Sequence, residues 1–212
     1  MANLEYEALG KLARSAQSVL RTNIPVVEEN DASGALADAY ESFRTKFGRP
    51  DVPPILKCFS SAPKLLDQIM QMSSGLLFSD GMLGRRTKEM IASHVSRLNE
   101  CPYCLDSHAF FLGVHGGCDL VDPLLKGQLE SPKFSTADRV LLVFASKVNS
   151  ESQSIGPADI TALRDAGWGD DQIAEAVHVA AIFAFFNRVA NAFGLQSQGF
   201  LDLDKAPNLH PL

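Results

Sequence analysis

Positive charge is in short supply: nineteen lysines and arginines face twenty-five acidic residues, a formal net charge of −6 over 212 residues. That balance argues against a broad electrostatic footprint for nucleic acid or for anionic lipid. Cysteine is sparse as well, four in all, which does not suggest the disulfide framework of a small secreted domain. Long apolar runs are missing; the longest, 176–186, includes His178 and falls far below the ~20 residues a membrane-spanning helix needs. The first seven residues are acidic and lack the basic start of a signal peptide, so the expectation is a cytoplasmic protein. Strand-like alternation, repeats of fixed period and low-complexity tracts are all absent, and the chain reads as all-α.

What is present is helical punctuation. Ala8 to Leu20 fits an amphipathic helix, and residues 1–34 read as an N-terminal helical extension to a single domain over 35–212. Ser33 or Gly34 starts a helix that Gly48 and Pro50 end, and short and long helices follow over 56–60 and 63–77. Ser79-Asp80-Gly81 breaks the chain before a helix over 87–98. A helix from Pro102 stops at Gly116-Gly117, and another spans 120–129. Ser135 caps the next, Pro157 begins one that ends near Gly167, and Asp170 caps the last long helix, which closes on Gly194.

The chemistry concentrates at Cys101-Pro102-Tyr103-Cys104. Pro102 pushes Cys101 out of the α region and suits the first helical position, so Cys101 becomes the N-cap and Cys104 falls in the first turn. Free N–H groups and the positive end of the helix dipole favour a thiolate there, and Cys104 is expected to be the more acidic thiol. The i, i+3 spacing suits a disulfide that opens and closes without refolding. His108 lies one turn beyond Cys104 on the same face, as a base for its proton. If the 87–98 helix packs antiparallel to the next, the 1.5 Å rise per residue brings Glu89 level with His108, where a carboxylate would fix the imidazole tautomer. The alternatives are a zinc site, with Cys101, Cys104 and His108 joined by His94, His115 or Cys118, and a pair of inert buried thiols.

The run from Arg86 to Ala92, then Val95 to Asn99, then Cys101 to Cys104 with His108 and Gly113, resembles the core motif of the alkylhydroperoxidase D and carboxymuconolactone decarboxylase superfamily. Segments over 35–77 and 186–194 resemble helices of its peroxidase-related branch. The resemblance implies an antioxidant peroxidase with Cys104 as peroxidatic nucleophile, Cys101 as resolving cysteine, and Glu89 with His108 as proton relay. It implies no cofactor beyond the Cys101–Cys104 disulfide, an external dithiol or a lipoyl or thioredoxin-like partner as reductant, and a homo-oligomer. Where the archetype has a relay histidine between its cysteines this chain has Tyr103, whose phenol, titrating near ~10, is no base at neutral pH.

Elsewhere, the last long helix is apolar almost all round, which places it at the centre of the domain or against another subunit. Asn187, Arg188 and Asn191 punctuate it. Arg188 is expected to pair with a carboxylate and the amides to cap neighbouring helix ends; alternatively Asn187 or Arg188, with Tyr103, lines the dithiol pocket. His94, His178, His210, Trp168, Cys58 and Cys118 read as packing or solvated groups, with Cys118 a conceivable third redox partner.

Overall fold

Glycine and proline set the helix ends. In a computed structural model, which describes residues 21–79 and 81–203, ten α-helices and no strand occur among the described residues. The helix expected over 8–20, and His210, lie outside them. The chain divides into two compact units, Met1–Ser74 with Ala192–Leu195 and Gly75–Asn191 with Gln196–Leu212.

In the first unit, α1 (Ala35–Phe47) buries Leu36, Ala39, Tyr40 and Phe43. These stand at i, i+3, i+4 and i+7, the apolar stripe of a helix with one covered face. Gly48 takes the left-handed conformation that ends it, at φ 62°. The Tyr40 hydroxyl donates to the Val27 carbonyl at 2.9 Å, and burial, helped by Glu28, pushes its phenol up to about 12. Pro54 opens the single-turn α2 (Pro54–Lys57), and α3 (Pro63–Leu76) follows.

The second unit is built round α4 (Arg85–Leu98), in which every residue from Lys88 to Ser96 is buried. Such a helix must be covered on all sides, so α4, rather than the last long helix, is the central element. Its charged members are paired: Lys88, 1% exposed, donates to the carbonyls of Leu76 and Ser79 and meets Glu175 at 2.9 Å. His94 meets the Ser146 hydroxyl at 2.7 Å; burial, with the nearby Arg97 charge, pushes its imidazole down to about 4.

The link from α4 to α5 (Pro102–Leu112) is a Schellman turn. The Cys101 N–H donates to the Ser96 carbonyl at 3.0 Å and the Glu100 N–H to that of Arg97 at 3.1 Å, with Glu100 in the left-handed region at φ 50°. Glycine is the usual residue there. Glu100→Gly is therefore expected to raise stability by about 0.5–1 kcal/mol, read as a higher urea midpoint with an unchanged m-value.

Beyond α5 the helical path ends at Gly116-Gly117 as expected: His115 (φ −92°, ψ 25°) and Gly116 leave helical geometry and make a kink. The chain passes from this turn, Gly113–Gly117, with Gly116 at φ 86°, directly into α6 (Cys118–Leu125). Ser135 caps α7 (Thr136–Ser150) in a reciprocal capping box with Asp138. Pro157 starts α8 (Pro157–Asp165), and α9 (Asp170–Phe193) takes Asp170 as its first residue, paired with Arg164, rather than as its cap. The Trp168 indole donates to the Ala137 carbonyl at 3.0 Å.

Helix α9 runs to 24 residues, well past the apolar run that marks it in the sequence, and its length and hydropathy would allow it to cross a membrane. Half of its most apolar window is nevertheless buried in the protein, as in a core helix. Ala174, His178, Ala181, Phe185 and Arg188 form an exposed strip.

A short helix, α10 (Phe200–Leu203), was not foreseen. The carboxylate of Asp106, buried in the middle of α5, accepts the backbone N–H groups of Gln198, Phe200 and Leu201 at 2.9, 3.1 and 3.0 Å. Phe200 packs on Phe110, ring centroids 5.7 Å apart.

Candidate functional site

Helices α4, α5 and α9 supply the side chains. Pro102 is the first residue of α5 and Cys101 its N-cap, with extended backbone at φ −98°, ψ 97°. Cys101 is fully buried, Cys104 is 3% exposed, and neither is in a disulfide.

The donors in this corner converge on Cys101. The Cys104 thiol acts on it most strongly and lowers its pKa; burial opposes the shift, and the N–H of Cys104, the amide of Asn187 and the N–H of Tyr103 add to the lowering. None closes a regular capping hydrogen bond. The first-turn N–H groups point back toward the N-cap side chain, so their field falls on Cys101.

Glu89 is the pivot of the site. Its carboxylate, 3% exposed, accepts Arg85 Nε on Oε1 at 2.6 Å and lies 2.7 Å from His108 Nδ1 through Oε2. Burial pushes its pKa up, but His108 and then Arg85 outweigh burial and leave it below the ordinary carboxylate value. An ionised carboxylate needs a proton on Nδ1, which leaves His108 Nε2 as the acceptor nitrogen. The imidazole stands edge-on to Phe183 at 4.5 Å and lies 5.9 Å from Phe111. The Arg85 guanidinium lies 4.8 Å from the ring centre of Phe78 and 5.8 Å from that of Phe111.

Asn187 is fully buried. It donates to the Ser96 hydroxyl at 3.0 Å and accepts from Asn99 at 2.9 Å; Asn99 and Asn149 exchange amide hydrogen bonds at 2.9 and 3.1 Å. Asn191 donates to the Asn99 carbonyl at 3.0 Å, the helix-end capping expected of it. Arg188 is exposed and bonds back to the Ala184 carbonyl of its own helix, and among the described residues it has no carboxylate partner of the kind expected. Tyr103 is buried beside the pair.

The outlying groups take no part in this arrangement. Cys58 is buried, and burial pushes its thiol up to about 12. Cys118 is exposed and donates to the Gly113 carbonyl at 3.1 Å, and His178 is exposed. Among the described residues no group of three or more His, Cys, Asp or Glu is placed to hold a metal ion.

Residues 63–112, which span α3 to α5 and so include Glu89, both thiols and His108, match the model of the Carboxymuconolactone decarboxylase family. Over those residues the chain is similar to that family. A peroxidase-related protein of Ralstonia eutropha JMP134, whose structure is described as an alkylhydroperoxidase AhpD core, superposes with a TM-score of 0.75 at 26% identity, covering 87% of this chain and 97% of that one. An alkyl hydroperoxide reductase of Mycobacterium tuberculosis is 28% identical over 167 residues, 79% of this chain. The chain spans 44% of that relative's own length, less than half. The debrominase Bmp8, in complex with 2,3,4-tribromopyrrole, shares the AhpD-like fold at a TM-score of 0.63 and 16% identity.

Sequence reasoning missed Arg85 and Asn149. Arg85 stands at i−4 from Glu89, a spacing that could have been read. Asn149 comes from α7, 50 residues from its partner, and gives no local signal.

Proposed function

We propose that this AhpD-like protein is a thiol-dependent hydroperoxidase. The observation that carries the reading is the 2.7 Å contact between Glu89 of α4 and His108, which lies one turn beyond Cys104 on α5, with Cys101 three residues before Cys104.

In this reading His108 takes the Cys104 proton on Nε2. The thiolate attacks one peroxide oxygen, the O–O bond breaks, and the departing alkoxide takes a proton and leaves as the alcohol. Cys104 is then a sulfenic acid. Cys101, whose thiolate is favoured by the donors around it, attacks that sulfur; hydroxide leaves, is protonated to water, and a disulfide remains. An external dithiol, a lipoyl or thioredoxin-like group, restores the two thiols. Burial of both sulfurs supports a small oxidant rather than a folded disulfide partner as first reactant. For a homo-oligomer, the exposed strip of α9 through Ala181 and Phe185 is the proposed contact.

Anaerobic thiol counting with one equivalent of cumene hydroperoxide tests the reading. Wild type is expected to lose two thiols and to return them to dithiothreitol, while Cys104→Ser loses none by disulfide formation. Wild type that keeps all its thiols would leave dithiol–disulfide exchange as the function of the pair.

A further inference from the structure

Arg85 opens α4 and reaches along the helix to the carboxylate that also holds His108. Each partner takes a different oxygen, at 2.6 and 2.7 Å. A buried carboxylate with an imidazole as its sole partner would be a proton trap, because the imidazolium–carboxylate pair is neutral as a whole and suits a low dielectric. With Arg85 on the second oxygen the neutral arrangement is guanidinium, carboxylate and uncharged imidazole. Protonating the ring then places a net positive charge in a buried site.

The other charges near the pair are committed elsewhere. Lys88 is engaged by Glu175 of α9 and by two carbonyls, Arg86 is turned to Asp138 of α7, and Asp106 on the helix of His108 holds the N–H groups of α10. From α9 the group facing the ring is Phe183, which is apolar. The charges that bear directly on His108 are therefore Glu89 and Arg85. The guanidinium of Arg85 lies over the rings of Phe78 and Phe111, and its side chain is 17% exposed.

We propose that Arg85 is a positioning residue for the thiol site: it holds Glu89 ionised and takes half of its carboxylate, so that His108 gives up the proton it receives from Cys104. This rests on the thiol reading above for its use in catalysis. The arginine acts through Glu89 and touches no reacting atom.

The test is the titration of the His108 ring resonance by NMR, assigned by its loss in His108→Gln, in wild type and in three variants. Arg85→Gln and Arg85→Met remove the charge, and the methionine keeps an apolar stem against the two rings; Arg85→Lys keeps the charge. Both neutral variants are expected to move the midpoint up by on the order of one pH unit, since removing a nearby cation raises proton affinity. Arg85→Lys is expected to stay at the wild-type value. A midpoint that does not rise in the neutral variants overturns the proposal. So does failure of both to fold while Arg85→Lys folds, which would make the arginine a structural pin. A midpoint that rises in the neutral variants, while wild type consumes no peroxide, would uphold the role of Arg85 and remove the hydroperoxidase reading.

Discussion

In Glu89→Gln, hydroperoxide-driven disulfide formation is expected to slow by about 10²–10⁴-fold, the usual worth of a positioned general base. The carboxylate offers one acceptor oxygen to Arg85 and one to His108. The amide has one oxygen and one NH₂, so it must turn a donor toward one of the two N–H partners. If the NH₂ faces His108, the ring must present a bare Nδ1 and place its proton on Nε2, the wrong nitrogen for receiving one from Cys104. Stopped-flow detection of the disulfide measures the effect, and a rate within a few-fold of wild type would remove Glu89 from the mechanism. The substitution also alters the acid limit of stability. Glu89 titrates below its ordinary value of 4.5 in the folded protein, so its contribution is present above the unfolded value and is lost as pH falls through the lower, folded one. That loss should be missing from the acid unfolding curve of the glutamine protein.

Lys88→Met is expected to cost about 3–5 kcal/mol, the range for removing one partner of a buried ion pair. The lysine is 1% exposed, and its ammonium serves Glu175, the Leu76 carbonyl and the Ser79 carbonyl together. Methionine matches the stem in length and offers nothing to the three acceptors. Glu175 keeps the Leu83 N–H at 2.6 Å but loses its counter-charge. Burial raises the Glu175 pKa, and Lys88 together with the N–H groups of Leu83 and Met82 lowers it further than burial raises it. Its stabilisation is thus present above about 4.5 and lost as pH falls through the folded value, and the methionine variant should show a flatter pH profile there. Urea titration at pH 7 and pH 4 measures both effects. A change below 1 kcal/mol at pH 7 would mean the lysine is hydrated through openings that the structure does not show.

Local rules reached the dithiol helix and its partner. Pro102 after Cys101 is enough to start α5 where it starts, and the rise per residue is enough to bring Glu89 opposite His108. What local rules could not see came from distance or from direction. Asn149 and Asp106 act across 50 and more than 90 residues, and nothing in their neighbourhoods marks them. Cys101 gains its donors because the N–H groups of the first turn point backwards, a matter of direction that spacing alone does not carry. Gly116-Gly117 reads as a stop, and the left-handed Gly116 does end the helical path there, with α6 starting directly after the kink. The composition of α9 suggested either the centre of the domain or a subunit face; α4 holds the centre, because its polar residues such as Lys88, Glu89 and His94 are buried with partners that composition cannot show.

The carboxylate of Asp106 adds a dependence in time. A ribosome delivers α5 with both thiols and that carboxylate long before it delivers residues 198–201, whose N–H groups lie 92 to 95 positions downstream. Until those residues emerge, the dithiol helix holds a negative charge that must stay in water, which works against its burial. The nascent protein is therefore expected to keep its dithiol helix loosely seated until those residues arrive, and to bury the thiols only when the segment bearing α10 takes up the charge.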